Sequence, residues 1–330
     1  MALAVAAAMV LLLGAVGLAA GAFTGGDDDA PATVAATATS AAGRADPATG
    51  ASVSTSASAT AGAPPVATGS GCANRFDARR ALALARLQVE VGQRPAGSPQ
   101  LQALAKRLVA RLPRGRLEPV RGHRGLNNVV GSLPGREPAI LIGAHYDTES
   151  TPKGFVGAND SAAGTAVLLE VARVLRGLKR PEGARAIRFA LFDGEEEPRP
   201  TNDFYRDALR SKDYVRAHRR AISKLILLDY VGNKGLRVPR EGSSDKALWS
   251  RLRAAARRAG VASFFPPGVG ADLLDDHTPF LRAGIPSIDL IDFTYPHADT
   301  LRDTLDKLRV ASLDAVGEAV VELVLDERRR

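Results

Sequence analysis

Three short runs constrain the fold more than any other feature of the chain: AILIGA at 139–144, AIRFALF at 186–192 and KLILLD at 224–229. Each is almost wholly apolar and short, and stretches with helical apolar spacing separate them. A strand apolar on both sides is buried on both faces, the condition of a parallel sheet covered by helices. The helical stretches include SAAGTAVLLEVARVLRGL, SDKALWSRLRAAARRAG (closed by Gly260) and LRVASLDAVGEAVVELVLDE. Asp160 and Ser161 stand where an N-cap would start the first of these. LNNVVGSLPG and IPSIDLIDF read as further strands, and RFDARRALALARLQVEVG and SPQLQALAKRLVARL as two leading helices. The expected fold is α/β, a single domain with a mostly parallel central sheet flanked by helices.

Ahead of that domain the chain changes character twice. Residues 1–23 carry no charge, and a bilayer-spanning helix needs about 20 apolar residues. The run ends in small residues, as a cleavable signal does, but has no basic start. The expectation is a signal peptide or transmembrane anchor over 1–24, with the anchor favoured because the run is long for a signal. Residues 25–72 are mostly Ala, Thr, Ser, Gly and Pro, a composition that offers too little apolar surface to offset ordering, hence a disordered linker. The folded domain is expected over 73–330. The chain is expected to be exported, and either secreted or anchored on the outer face of the cell membrane through its N-terminal segment. The single cysteine, Cys72, excludes an intrachain disulfide and carries no assigned role. The net charge of +8 is not gathered into Lys/Arg blocks interleaved with aromatics, so no nucleic acid is expected as a partner.

In a parallel sheet, ligands bind outside the carboxyl ends of the strands. His145 and Asp147 follow AILIGA. Glu195, Glu196 and Glu197 follow AIRFALF. Asp229 ends KLILLD, His297 and Asp299 follow IPSIDLIDF, and Asp160 lies in a loop after His145. Taken singly, each has an ordinary explanation: a structural histidine, a helix cap, a solvated turn. Together they converge on one sheet edge, and carboxylates and imidazoles converging at a cleft suit a zinc site. Adjacent glutamates are expected to point different ways, so that one holds a metal while its neighbour handles a proton.

HYDT, FVGANDSAAG, LFDGEEE, LLDYVG and DDHTPFLRAGIPSIDLI, with GQRPAGS upstream, resemble the zinc aminopeptidases and, more closely, the glutaminyl-peptide cyclotransferases. The resemblance implies a zinc aminopeptidase-like fold and one zinc ion or two. It implies Asp160 and Glu196 as metal ligands, Glu195 as general base, and Asp275 as a carboxylate assisting proton transfer. His145 and Asp229 match ligands of a second metal in the aminopeptidases, and a hydrogen-bonded network around a single zinc in the cyclotransferases. The last ligand departs from the family pattern. In YPHADTLRDTLDKL, spacing favours Asp299 and residue type favours His297. The implied activity is pyroglutamate formation at a peptide's free N-terminus with release of ammonia. Removal of the N-terminal residue is the alternative, and an inactive tethered binding domain is a second, motivated by the altered YPHAD.

Overall fold

The computed structural model describes residues 74–196, 201 and 203–330. The expected leader and linker, Cys72 and Glu197 lie outside the described residues. Six strands form one sheet: β1 (Arg116–Pro119), β2 (Asn127–Leu133), β3 (Arg136–His145), β4 (Arg185–Phe192), β5 (Ile222–Leu228) and β6 (Ser287–Leu290). Their order across the sheet is β1-β2-β4-β3-β5-β6. Strands β4, β3, β5 and β6 run parallel, while β2 is antiparallel to both β4 and β1.

The continuous apolar runs are explained by cover on both faces. Ile140, Ile142, Phe189, Leu191, Ile226 and Leu228 face one core. Over it pack α1 (Ala78–Val89), α3 (Gly164–Gly177), α6 (Lys246–Arg258) and α8 (Val310–Glu327). The alternate residues Leu141, Ala190, Phe192, Leu225 and Leu227 face a second core with Tyr214 and Phe280. Those two come from α5 (Ser211–His218) and α7 (Thr278–Arg282). Helix α2 (Pro99–Val109) is capped by Ser98, whose hydroxyl accepts the Leu101 amide, and a short α4 spans Phe204–Asp207. No helix among the described residues is long and apolar enough to cross a membrane.

Two consequences position the site. The chain passes from β3 to β4 on one side, then returns past β3 to β5 on the other. The carboxyl ends of β3 and β5 therefore flank a topological switch point, where α/β sheets open a crevice. The second consequence corrects the expected cap. Helix α3 begins at Gly164, and residues 158–163 form a separate wide turn in which Asp160 is extended (φ −102°, ψ 89°). The Asp160–Ser161 bond is cis. The Asp160 carboxylate caps no helix and is directed to side chains at the crevice.

Candidate metal centre

His145, the last residue of β3, is the hub. Its Nε2 lies 3.1 Å from Asp160 Oδ1 and 3.3 Å from Asp229 Oδ1. Its Nδ1 lies 3.6 Å from Asp147 Oδ1 and 3.7 Å from Glu195 Oε2. One imidazole is thus held between two pairs of buried carboxylates.

The turn after β4 is shaped by Asp147, whose Oδ2 accepts the backbone N–H groups of Gly194 (3.1 Å) and Glu196 (2.9 Å). Gly194 has φ +89°, and a Cβ there would come within 2.6 Å of both Arg210 and Leu126. The turn alters the expectation of diverging glutamates. Divergence is a property of extended backbone, and in this turn Glu195 and Glu196 converge. With His145 they offer three donor atoms within 4.8 Å of one another, as do His145, Asp160 and Asp229.

The wide turn carrying Asp160 is fastened from three sides. Buried Asp303 accepts the amides of Asn159 (2.9 Å) and Asp160 (3.0 Å) and the Tyr295 hydroxyl (2.8 Å). Arg94, from GQRPAGS, is fully buried and donates to the carbonyls of Tyr146, Val156 and Gly157 and to the Ser161 hydroxyl. The Tyr230 hydroxyl reaches Asp160 Oδ2 at 2.9 Å and Asp299 Oδ1 at 3.0 Å. Burial, then Asp160 and Asp299, push that hydroxyl well above its usual range, so it keeps its proton as a donor.

Tyr230 contacts one of the two candidates for the last ligand. It ties Asp299, at φ +54°, to Asp160. His297 packs edge-on against Tyr295, 5.5 Å between centroids, and neither it nor Asp299 belongs to the convergent donor groups among the described residues. Asp275 is buried just ahead of α7. The sequence reading passed over its neighbour Asp276, as it did Tyr230, Asp303 and Arg94.

Burial raises the Glu195 carboxyl well above the ordinary range; Asp275, Asp276 and Asp147 add to this, and His145 opposes it. Burial, then Glu195 and Asp160, raise Glu196 similarly. Burial is also the largest influence on Asp229; His145 opposes it, Asp275 and Asp160 reinforce it, and the carboxyl is raised to about 7. So many crowded carboxyls call for a cation. The orphaned atoms agree: His145 Nδ1, Asp147 Oδ1, Asp160 Oδ1 and Glu195 Oε2 are buried without a hydrogen-bond partner. Mixed nitrogen and carboxylate donors are a set that zinc accepts.

Comparison with known proteins identifies the family. The model of Peptidase family M28 matches residues 128–324, more than half of the chain. The chain belongs to that family. The glutaminyl-peptide cyclotransferase of Bos taurus is 28% identical over 242 residues, 62% of this chain and 67% of that protein. The chain thus spans about two thirds of that relative's length. The solved glutaminyl cyclase of Porphyromonas gingivalis superposes with a TM-score of 0.68 at 29% identity, covering 77% of this chain and all of that one. A leucine aminopeptidase precursor from Bacteroides thetaiotaomicron superposes with a TM-score of 0.65 at 27% identity, covering 76% of this chain and 98% of its own.

Proposed function

We propose that the protein is a zinc-dependent glutaminyl-peptide cyclotransferase, closing an N-terminal glutamine to pyroglutamate with release of ammonia. The observation that carries the reading is Glu195, a buried carboxylate raised above its ordinary range and 3.7 Å from the imidazole at the hub of the donor cluster. A base with a raised pKa can both take and return a proton near neutral pH. Asp160 and Glu196 would hold the zinc together with donors from the His145 and Asp229 pair, and Asp299 or His297 would be the last ligand. Bound there, zinc supplies Lewis-acid polarisation of the glutamine γ-carbonyl. Glu195 takes a proton from the peptide's α-amine as that amine attacks the carbonyl, and passes it to the departing ammonia. Asp147 holds the turn that aims Glu195. Asp275 and Asp276 keep the Glu195 carboxyl basic.

Aminopeptidase activity is the second reading, favoured by the leucine aminopeptidase precursor among the structural neighbours. In that case Glu195 would deprotonate a water, and the first peptide bond would break.

Two results test the metal assignment. Chelation should abolish turnover of a glutamine-initiated peptide, and added zinc should restore it; turnover that survives full metal removal contradicts the reading. Asp299→Ala should lower zinc affinity by at least tenfold in equilibrium dialysis, while His297→Ala changes it little. The reverse order would make His297 the ligand. A related prediction concerns Tyr230→Phe. It removes the donor shared by Asp160 and Asp299, and loss of such an outer partner weakens metal binding by about 10- to 100-fold. An unchanged affinity would mean that the hydroxyl does not orient the ligands.

A further inference from the structure

A second cluster lies on the α7 side of the crevice. One donor atom each from Asp275, His277 and Asp289 lies within 4.8 Å of the others, and all three residues are buried. His277 Nδ1, Asp275 Oδ2 and both oxygens of Asp289 have no hydrogen-bond partner.

The far side of the imidazole is, by contrast, fully organised. His277 Nε2 lies 2.9 Å from Ser243 Oγ and 3.2 Å from Glu241 Oε2. The Ser243 hydroxyl donates its one proton to Glu241 (2.9 Å to Oε1), so it accepts from the imidazole. That places a ring proton on Nε2, and Nδ1 faces the two aspartates, 3.6 Å from Asp289 Oδ2. Glu241 is itself anchored by the amides of Ser243 (3.0 Å), Ser244 (2.8 Å) and Leu273 (2.9 Å) and by the Ser244 hydroxyl (2.8 Å). The same Ser244 hydroxyl accepts the Asp289 amide at 2.9 Å. A carboxylate behind an imidazole whose other nitrogen faces open donors is the outer arrangement of a metal-bound histidine.

We propose that Asp275, His277 and Asp289 form a second cation site, separate from the His145 centre and taking a divalent transition metal such as zinc. An imidazole ligand selects such a metal over calcium or magnesium, which prefer oxygen donors. A shared proton would reconcile the two aspartates but would leave the built Glu241 support behind the imidazole without a purpose. On this account Asp275 acts on Glu195 through its charge. The proposal does not depend on which reaction the His145 centre performs.

The test is anomalous diffraction at the zinc edge from crystals of the full chain prepared with zinc, with the metal content of the purified protein measured alongside. The expected map has a peak between Asp275, His277 and Asp289 in addition to one at His145. Asp289→Asn and His277→Gln should each carry one ion fewer per chain and keep the His145 peak. A peak at His145 alone overturns the second site and leaves the proposed function standing. A peak at the second site alone supports this proposal and overturns the zinc reading of the first.

Discussion

Glu195→Gln should lower turnover of a glutamine-initiated peptide by about 100- to 10,000-fold, the range that a positioned general base contributes, with zinc content unchanged. The substitution keeps the size of the side chain and removes only its basicity. Glu195 is buried, and its Oε2 has no hydrogen-bond partner in the fold, so little structural work is lost with the charge. The asymmetry with Glu196 is the informative part. Glu196→Gln should reduce turnover together with zinc content, because the proposed role of Glu196 is to hold the ion. Turnover by Glu195→Gln within tenfold of wild type would remove Glu195 from the chemistry.

Arg94→Met should destabilise the fold by about 3 kcal/mol, the lower end of what breaking a buried charged network costs. Met fills much of the same volume, so the loss reports hydrogen bonds and charge more than packing. The carbonyls of Tyr146, Val156 and Gly157 and the Ser161 hydroxyl each lose a donor. A buried acceptor left unpaired costs about 1–3 kcal/mol, and relief from burying the guanidinium offsets part of the sum. Burial lowers the Arg94 pKa to about 10 against the opposing pull of Asp160, Asp147 and Asp303, so the side chain stays charged at neutral pH. Its loss also frees the turn that carries Asp160, so metal affinity should fall with stability. An unfolding free energy from urea titration within about 1 kcal/mol of wild type would show that the network contributes little.

Arg94 also marks a limit of the sequence. An arginine in a Gly/Pro break reads as a solvated loop residue, and nothing local says that backbone carbonyls and a hydroxyl will close around it. The parallel strands were legible because burial on both faces demands the apolar runs now seen as β3, β4 and β5. Strand β1 was not legible: its four residues, RLEP, lie at the sheet edge and are mostly exposed, so no burial pattern marks them. Asp160 resembled a cap because Asp followed by Ser and Ala is a common helix start, yet Gly157 at φ +52° lets the chain turn so that Asp160 O would come within 1.7 Å of a Cβ there. The carboxylates at the strand ends were legible from position alone. Their fasteners Tyr230 and Asp303 were not, since each acts on a residue about 70 positions away or more. Asp289 did leave a signal, a lone carboxylate in the otherwise uncharged SIDLI.

The most direct test of the central claim uses the purified full-length chain, loaded with zinc, and two peptides, one beginning with glutamine and one with leucine. Mass spectrometry of the products separates the two readings, because they differ in which bond breaks. The account predicts that the glutamine peptide loses the mass of ammonia with its chain intact, and that the leucine peptide is unchanged. Loss of a whole N-terminal residue from either peptide, with no ammonia-loss product, would contradict it and make the protein an aminopeptidase.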